Sequence, residues 1–133
     1  VFTNQDVGFA GLSLDDRIFL AQSNVIRKVA EEGPCVIVGR CADYILRDLD
    51  HVVNVFISAD LDFRIQRSIQ VDHIAPEHAA ETVAKKDKSR GNYYRYHTGD
   101  RWDNLFNYAL TIRSDLAGID KTVECIKQYV QSL

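Results

Sequence analysis

Short apolar runs alternate along this chain with segments of helical periodicity, and this alternation is what most constrains the fold. The run Cys-Val-Ile-Val at 35–38 lies between Pro34 and Gly39. A strand that is apolar at every position is typical of the interior of a parallel sheet, because both of its faces are covered. Two further strands are predicted at 52–57 and 108–112. Helices between such strands indicate an α/β fold, with a parallel sheet and flanking helices.

Helices are predicted on both sides of these strands. The first begins after Ser13, which can cap it, and ends near Gly33. Its apolar positions recur every three or four residues, as expected of an amphipathic helix. They are Leu14, Ile18, Ala21, Val25 and Val29. Further helices are predicted at 41–48, at 60–70 and, as the closing amphipathic element, at 119–130.

The connection between the second and third strands is much longer than a single crossover helix requires. It starts as a helix after Pro76 and becomes a polar stretch rich in Lys, Arg and Tyr. In a compact α/β domain, an excursion of this length is typical of a lid or of an inserted functional segment. We therefore predict a helical lid at about 75–104, within one partial domain that spans residues 1–133.

Composition excludes several classes of protein. The chain is 46% hydrophobic and 26% charged, as expected of a folded domain and not of a disordered segment. No apolar run reaches the length of a membrane-spanning helix, and the three cysteines show neither a CxxC pair nor zinc-finger spacing. We expect reduced thiols, a cytoplasmic protein, no membrane partner and no metal site formed by these residues. Residues 1–12 have the composition of a loop, and the absence of methionine from a chain that begins with Val1 predicts further sequence upstream.

Positive charge is concentrated in the predicted lid. Between Lys85 and Arg101 there are six basic and two acidic residues, a net charge of +4, whereas the rest of the chain holds 10 basic and 17 acidic residues, a net charge of −7. A positive segment on a negative body is typical of a polyanion site, and a solvated basic helix face is the alternative. The interleaved Tyr93, Tyr94 and Tyr96 leave single-stranded nucleic acid as a third option, which the acidic remainder disfavours.

Arg40 follows the first predicted strand directly. In open α/β sheets, ligands bind beyond the carboxyl ends of the strands. An arginine at that position can hold a phosphate through its planar fork of donors. The alternative is an ion pair with a nearby carboxylate such as Asp43, which would fix the loop.

Two more arginines follow the second predicted strand. Arg64 and Arg67 are three residues apart and share one helix face near the N-terminus of their helix. Cations are slightly disfavoured at that end by the helix dipole, so the pair favours an anion between them. The alternative is local pairing with aspartates, of which the candidates are Asp60, Asp62 and Asp72.

The third predicted strand runs into Arg113-Ser114-Asp115, in a loop of the kind that often surrounds a base. Asp87-Lys88-Ser89-Arg90 lies in the excursion between strands, where a mobile lid is expected. Both signals are weak when taken alone. We expect the apolar side chains that follow the lid to form core beneath it, and these are Trp102, Leu105 and Phe106.

Taken in order, these segments resemble the cytidylate kinase-like proteins, which belong with the nucleoside-monophosphate kinases. The resemblance rests on Cys-Val-Ile-Val-Gly-Arg-Cys-Ala-Asp at 35–43 and on Val-Phe-Ile-Ser-Ala-Asp at 55–60 with Arg64 and Arg67. It rests also on Lys-Asp-Lys-Ser-Arg at 86–90 with its two following tyrosines. It covers nearly the whole chain, and it implies a P-loop NTPase type of fold that is incomplete at the N-terminus.

The resemblance also implies a role for several residues. Arg40 would hold the phosphate of the acceptor monophosphate, with Asp43 ordering it or touching the sugar or base. Arg64 and Arg67 would lie near ATP, and Asp87 and Arg90 would sit on the lid, with Arg90 closing over the transferring phosphoryl group. The remaining residues assigned to the site are Lys86, near the ATP phosphates, and Ser114 and Asp115, against the adenine.

Three departures from the family pattern bear on substrate and cofactor. No GxxxxGK[ST] motif occurs in the 133 residues, so we expect Mg²⁺ to be held mainly by residues outside them. The acid that better-known cytidylate kinases carry after the Gly-Arg pair is replaced by Cys41, with the acid two residues later. The basic residue four positions before the lid aspartate is replaced by Val83. The last two departures put specificity for cytidine in doubt.

The sequence therefore predicts ATP-dependent phosphoryl transfer to a small acceptor, a nucleoside monophosphate. Such chemistry requires positioning and positive charge more than covalent help. A non-catalytic nucleotide-binding or interaction domain that lacks the P-loop is the alternative. Small-molecule nucleotides are the expected partners under the first interpretation.

Overall fold

The computed structural model describes residues 11–133, so most of the loop predicted at 1–12 lies outside the described residues. The chain divides into two compact units, Val1–Asp50 and His51–Leu133. Each is described by itself. No helix in the described part of the chain is long and apolar enough to cross a membrane.

The described residues of the first unit form one long helix and one short helix. Helix α1 spans Leu14–Glu32, and the hydroxyl of Ser13 accepts a hydrogen bond from the backbone N–H of Asp16, which confirms the predicted cap. Helix α2 is a single turn, Ala42–Ile45, and is shorter than the helix predicted at 41–48. The buried apolar side chains of this unit lie where α1 and α2 meet. They are Ile26, Cys41, Ala42, Ile45 and Leu46.

Helix α1 forms and ends as predicted, but its apolar stripe is exposed. Leu14 is 63% exposed and Val25 is 61% exposed, whereas the buried positions of the helix are Ser23 and Ile26. Helical periodicity identifies a face that can be buried but does not supply what covers it. Because α2 is only one turn long, it covers a small part of α1.

Residues 35–38 do not form the interior strand that was predicted. They have no regular secondary structure and no strand partner in the described part of the chain, and Val36 and Val38 are 94% and 87% exposed. A strand exists only where a neighbour satisfies its backbone N–H and C=O groups. The composition of residues 35–38 suits a buried strand, but no second strand pairs with them in the described part of the chain.

The second unit is built on a parallel pair of strands. Strand β1 spans Val55–Ser58 and strand β2 spans Leu110–Arg113, with Val55 opposite Leu110 and Ser58 opposite Arg113. Both strands lie slightly C-terminal to the predicted segments. The prediction of a parallel α/β arrangement with flanking helices is confirmed for this two-stranded sheet.

Five helical elements accompany the sheet in the described residues of the second unit. Helix α3 spans Leu61–Gln70 and helix α4 spans Pro76–Thr98. A 3₁₀ turn at Leu105–Asn107 precedes β2, and the short helix α5, Ser114–Ala117, follows it. Helix α6, Ile119–Gln131, closes the chain as predicted.

The segment predicted as a lid contains one continuous helix. The polar stretch expected after its first part is helical as far as Thr98, and the 23-residue helix ends where Gly99 adopts φ 77°. Lys and Arg favour helix, so a polar composition alone did not indicate a loop. Trp102 is half-buried, but Leu105 is 58% and Phe106 is 99% exposed, so the prediction that they form core was wrong for these two residues.

Candidate functional site

A carboxylate on α4 joins arginines from two helices. Asp87 Oδ2 lies 2.6 Å from Nη1 of Arg64, and Asp87 Oδ1 lies 3.7 Å from Nη1 of Arg90. We call these three residues the arginine-aspartate cluster. All three belong to the second unit, so the cluster connects α3 with the segment predicted as a lid.

The local sequence explains why the cluster forms. Asp87 follows Ala79 and Val83 at intervals of four residues, and those two side chains are buried along one face of α4. Helix α3 packs against α4, and Arg64 lies in its first turn. The Nε of Arg64 also donates a hydrogen bond to the carbonyl oxygen of Ala59 at 3.1 Å. Arg64 is therefore held just beyond the carboxyl end of β1.

Arg64 does not form an ion pair with an aspartate nearby in the sequence, which was the alternative to an anion site. Asp60 is used as the cap of α3, where its Oδ1 accepts a hydrogen bond from the backbone N–H of Asp62 at 2.9 Å. The carboxylate that meets Arg64 is Asp87, 23 positions along the chain. Sequence reasoning missed this bridge, and the four-residue spacing from Val83 was the signal that could have found it.

The cluster contributes little to stability. The side chains of Arg64 and Asp87 are 35% and 33% exposed, and that of Arg90 is 57% exposed. Ion pairs accessible to water stabilise a fold by about 0–1 kcal/mol, because solvent screens the charges. Its partners can therefore be exchanged for a bound anion at small cost.

Two further predicted ATP-binding residues lie near the cluster in sequence. Arg67 is one helical turn after Arg64 on α3, and Lys86 precedes Asp87 on α4. Both are exposed, and neither forms an ion pair with any residue that the structure describes. The second unit therefore presents cations whose charge is not neutralised by a carboxylate of residues 11–133.

The residues predicted to meet the adenine lie where β2 ends. Ser114 is buried, and its hydroxyl donates a hydrogen bond to the carbonyl oxygen of Ser58 at 3.3 Å. Asp115 accepts a hydrogen bond from Nε of Arg113 at 3.1 Å and a second one from Nη2 of the same arginine. Hydrogen bonding to Arg113 holds the pKa of the Asp115 carboxyl below its usual range. Both side chains lie at the carboxyl end of the sheet, with their polar atoms engaged by the protein.

Arg40 and Asp43 belong to the first unit and lie at a strained turn. Gly39, Arg40 and Cys41 adopt φ values of 68°, 57° and 58° in succession. A left-handed conformation costs a non-glycine residue roughly 1–3 kcal/mol and is found preferentially at functional sites. Arg40 is exposed, and among the described residues it forms no ion pair with Asp43 or with any other carboxylate. The alternative of an Arg40–Asp43 pair is not realised.

Cys41 occupies the position where the family pattern has an acid. It is only 4% exposed, and burial, reinforced by the charge of Asp43, raises the pKa of its thiol to about 11. The side chain is therefore a neutral thiol at physiological pH and cannot replace a carboxylate as a hydrogen-bond acceptor for a sugar or base.

We expect Cys41 to react with thiol reagents much more slowly than the other two cysteines, because the thiolate is the reactive form and Cys41 is both buried and protonated. Cys35 and Cys125 are exposed. Timed labelling with iodoacetamide at pH 7.5, read by peptide mass spectrometry, should modify Cys35 and Cys125 first. Equal rates at all three positions would contradict the buried, neutral state of Cys41.

The described residues do not form a metal site. In residues 11–133, no three His, Cys, Asp or Glu side chains are grouped so that they could share a metal ion. The side chains that converge in the second unit are cationic and suit the oxygens of phosphate groups. The donor set of this cluster therefore suits an anion such as phosphate more than a divalent cation.

Comparisons with known proteins agree with this chemistry. The family model described as the cytidylate kinase-like family matches residues 2–116. A solved structure, described as that of an uncharacterized protein from Eubacterium ventriosum ATCC 27560, is similar with 30% sequence identity and a TM-score of 0.83. The match covers 95% of this chain and 71% of that chain. No curated protein matches the sequence.

Proposed function

This chain belongs to the cytidylate kinase-like family, and from that premise we propose that its protein transfers a phosphoryl group from ATP to a nucleoside monophosphate. The observation that carries the proposal is the arginine-aspartate cluster. It presents two arginines from separate helices, bridged by a half-exposed carboxylate that a phosphate could replace. The family match alone supports nucleotide-kinase-like function, and the cluster supports the specific reaction.

The proposed roles follow the position of each side chain. Arg64, Arg67 and Lys86 bind the phosphates of ATP. Arg90 lies over the transferring group, where its charge stabilises the equatorial oxygens in the transition state. Asp87 holds the two arginines of its cluster in place before nucleotide binds.

The acceptor site is proposed on the first unit. Arg40 holds the phosphate of the monophosphate through two parallel N–H donors. Its strained backbone and its lack of an ion pair with described residues support this role. Asp43, three residues later, orders that loop or meets the sugar or base. Because Cys41 is a neutral thiol, we assign no base preference to the acceptor site.

The adenine is proposed to lie at the carboxyl end of β2, near Ser114 and Asp115. Their side-chain oxygens are engaged with Ser58 and Arg113, so the contribution of this segment is the shape of the turn.

A P-loop NTPase fold in the full-length protein is part of the proposal. When bound, Mg²⁺ neutralises phosphate charge in kinases of this kind. The described residues offer no ligand set for the ion, and no step is assigned to it.

A cytoplasmic location and nucleotide partners are part of the same proposal. The three cysteines carry free thiols, as is usual in a reducing compartment where ATP is abundant. A single-stranded nucleic acid is a weaker candidate, because the chain outside 85–101 has a net charge of −7 and phosphate backbones bind positive surfaces.

One observation favours a second candidate function. The 133 residues contain no GxxxxGK[ST] motif, and a protein without that loop would bind nucleotide without catalysing transfer.

A coupled ADP-release assay separates the two candidates. We expect the full-length protein to turn over ATP only when one of CMP, UMP, AMP, GMP or a deoxy form is added. Nucleotide binding without monophosphate-dependent ADP release would favour the non-catalytic function.

We expect residues 75–104 to exchange their amide hydrogens quickly in the free protein and slowly when ATP and acceptor are both bound. Closure excludes water and orders the segment, which protects its backbone. Hydrogen exchange measured by mass spectrometry should show this protection only with both ligands. Equal protection with and without them would identify α4 as a fixed surface, and β1 provides the internal reference that should not change.

A further inference from the structure

Trp102 lies beside the arginine that the proposed function places over the transferring phosphoryl group. The Cζ atom of Arg90 is 5.1 Å from the centre of the Trp102 ring. A guanidinium within about 6 Å of an indole is attracted by the negative face of the ring. The ion pair between Arg90 and Asp87 is long, at 3.7 Å, because Asp87 makes its short contact of 2.6 Å with Arg64. The indole is thus a principal contact of the Arg90 guanidinium.

The indole is contacted from two sides, and the backbone of Trp102 is held by a hydrogen bond. Phe56 of β1 meets it edge to face, with ring centres 5.3 Å apart. On the side of α4, ring atoms of Trp102 lie 3.4 Å from the place that a Cβ atom on Gly91 would occupy, so a larger residue there would displace the ring. The hydroxyl of Tyr108 donates a hydrogen bond to the Trp102 carbonyl oxygen.

The loop that carries Trp102 is fixed by a set of hydrogen bonds around one carboxylate. Asp100 accepts from the side-chain amide of Asn107 at 2.8 Å and from that of Asn104 at 3.1 Å. These contacts hold the pKa of the Asp100 carboxyl below its usual value. The hydrogen bonds that close this loop therefore do not involve Arg90.

We propose that Trp102 is a positioning residue, which holds the guanidinium of Arg90 in the orientation required for phosphoryl transfer. The proposal rests on the proposed function for its reaction, but the contact can be tested without it. The Arg90 side chain is 57% exposed and would otherwise sample many rotamers. Fixing a charge before the reaction removes the cost of orienting it in the transition state.

A double-mutant cycle in the full-length protein tests this role. We expect Trp102→Leu to lower kcat roughly tenfold, within the range that a small misplacement of a reacting group costs, while KM for ATP changes less than about twofold. Trp102→Phe keeps an aromatic face and should lose about threefold or less. In an Arg90→Ala background, measured at higher enzyme concentration, Trp102→Leu should have no further effect on kcat. Equal losses in both backgrounds would show that Trp102 acts only through stability and would overturn the proposal.

Phe106→Ala is the matched control. Phe106 lies in the same loop, is 99% exposed and is expected to leave kcat unchanged. Urea unfolding of each variant separates loss of fold from loss of positioning, because a kcat corrected for the folded fraction should still fall for Trp102→Leu. If that correction restores the wild-type value, the positioning role is wrong.

Fluorescence tests the contact independently of catalysis. Trp102 is the only tryptophan in the 133 residues, and its emission is isolated as the difference between wild type and Trp102→Phe. We expect Arg90→Ala to change this emission and Arg67→Ala to leave it unchanged. An unchanged spectrum in Arg90→Ala would overturn the positioning role, whereas a changed spectrum together with no phosphorylation of any monophosphate would contradict the proposed function and leave the contact supported.

Discussion

Arg40→Lys in the full-length protein is expected to lower kcat/KM for the monophosphate by about 30–160-fold, which corresponds to roughly 2–3 kcal/mol of transition-state stabilisation. Lysine keeps the positive charge but replaces the planar fork by a single ammonium, so it cannot form two parallel bonds to one phosphate. The left-handed conformation of residue 40 is equally difficult for both side chains, so a difference in backbone strain does not account for the effect.

Arg27→Lys is the control for this measurement. Arg27 belongs to the same unit, is exposed and is given no role in the site. Steady-state kinetics should show a raised KM for the monophosphate, a lowered kcat, or both, in Arg40→Lys alone, with KM for ATP nearly constant. If kcat/KM for the monophosphate is the same in the two variants, Arg40 does not hold the acceptor phosphate.

A polypeptide limited to residues 1–133 is expected to transfer no phosphate at a measurable rate from ATP to any nucleoside monophosphate. The chain lacks the GxxxxGK[ST] loop, whose backbone N–H groups and lysine carry the charge of the triphosphate in P-loop kinases. The cations present here are at least partly exposed to water, and contacts of that kind are worth only about 0–1 kcal/mol each. Three or four of them cannot replace a cradle that lowers the barrier by many kcal/mol.

The same polypeptide is expected to bind hydrophobic dyes. Leu14 and Val25 on α1 and Val36 and Val38 after it are more than half exposed, and together they present apolar side chains to water. Dye fluorescence and thermal melting of the 133-residue polypeptide, compared with those of the full-length protein, measure this exposure. A cooperatively melting polypeptide that binds no dye and turns over ATP with CMP would contradict both the assignment of the arginines and the need for a P-loop.

Element types were predictable from the sequence where local periodicity and caps determine them. Helix α1 begins after its predicted cap, Ser13, and α6 lies at the predicted closing segment. The parallel pairing of β1 with β2 follows from the order of helices and strands. The helices and their caps depend on residues close together in the chain, whereas the pairing of the two strands followed from the general rule for α/β folds.

The burial of individual segments was not predictable, because it depends on which other elements pack against them. The same apolar composition that indicated an interior strand at 35–38 belongs to an exposed, unpaired segment, and the face of α1 that carries Val25 is exposed. The composition of a segment indicates whether its side chains are suited to burial, but it does not show whether another element packs against them. Phe106 illustrates the same limit, since its loop is fixed by polar contacts around Asp100 and leaves the ring in solvent.

The sequence identified the individual residues of the candidate site, but it did not predict the contacts between them. Arg64, Asp87 and Arg90 were each identified from their positions after strands or on the predicted lid. Their direct contacts depend on how α3 packs against α4. The four-residue spacing from Val83 places Asp87 on the packed face of α4 but does not identify Arg64, 23 positions away, as its partner. Trp102 was expected to be core, and its contact with Arg90 became visible only with the side chains in place.

The central claim is that a phosphoryl group moves from ATP to a nucleoside monophosphate, and it is tested most directly by following the label of γ-phosphate-labelled ATP in the full-length protein. We expect the label to appear in a nucleoside diphosphate formed from the added monophosphate, and to appear there far more slowly in Arg40→Lys. If the label stays in ATP with every monophosphate, or is released only as inorganic phosphate, the proposed phosphoryl transfer is wrong.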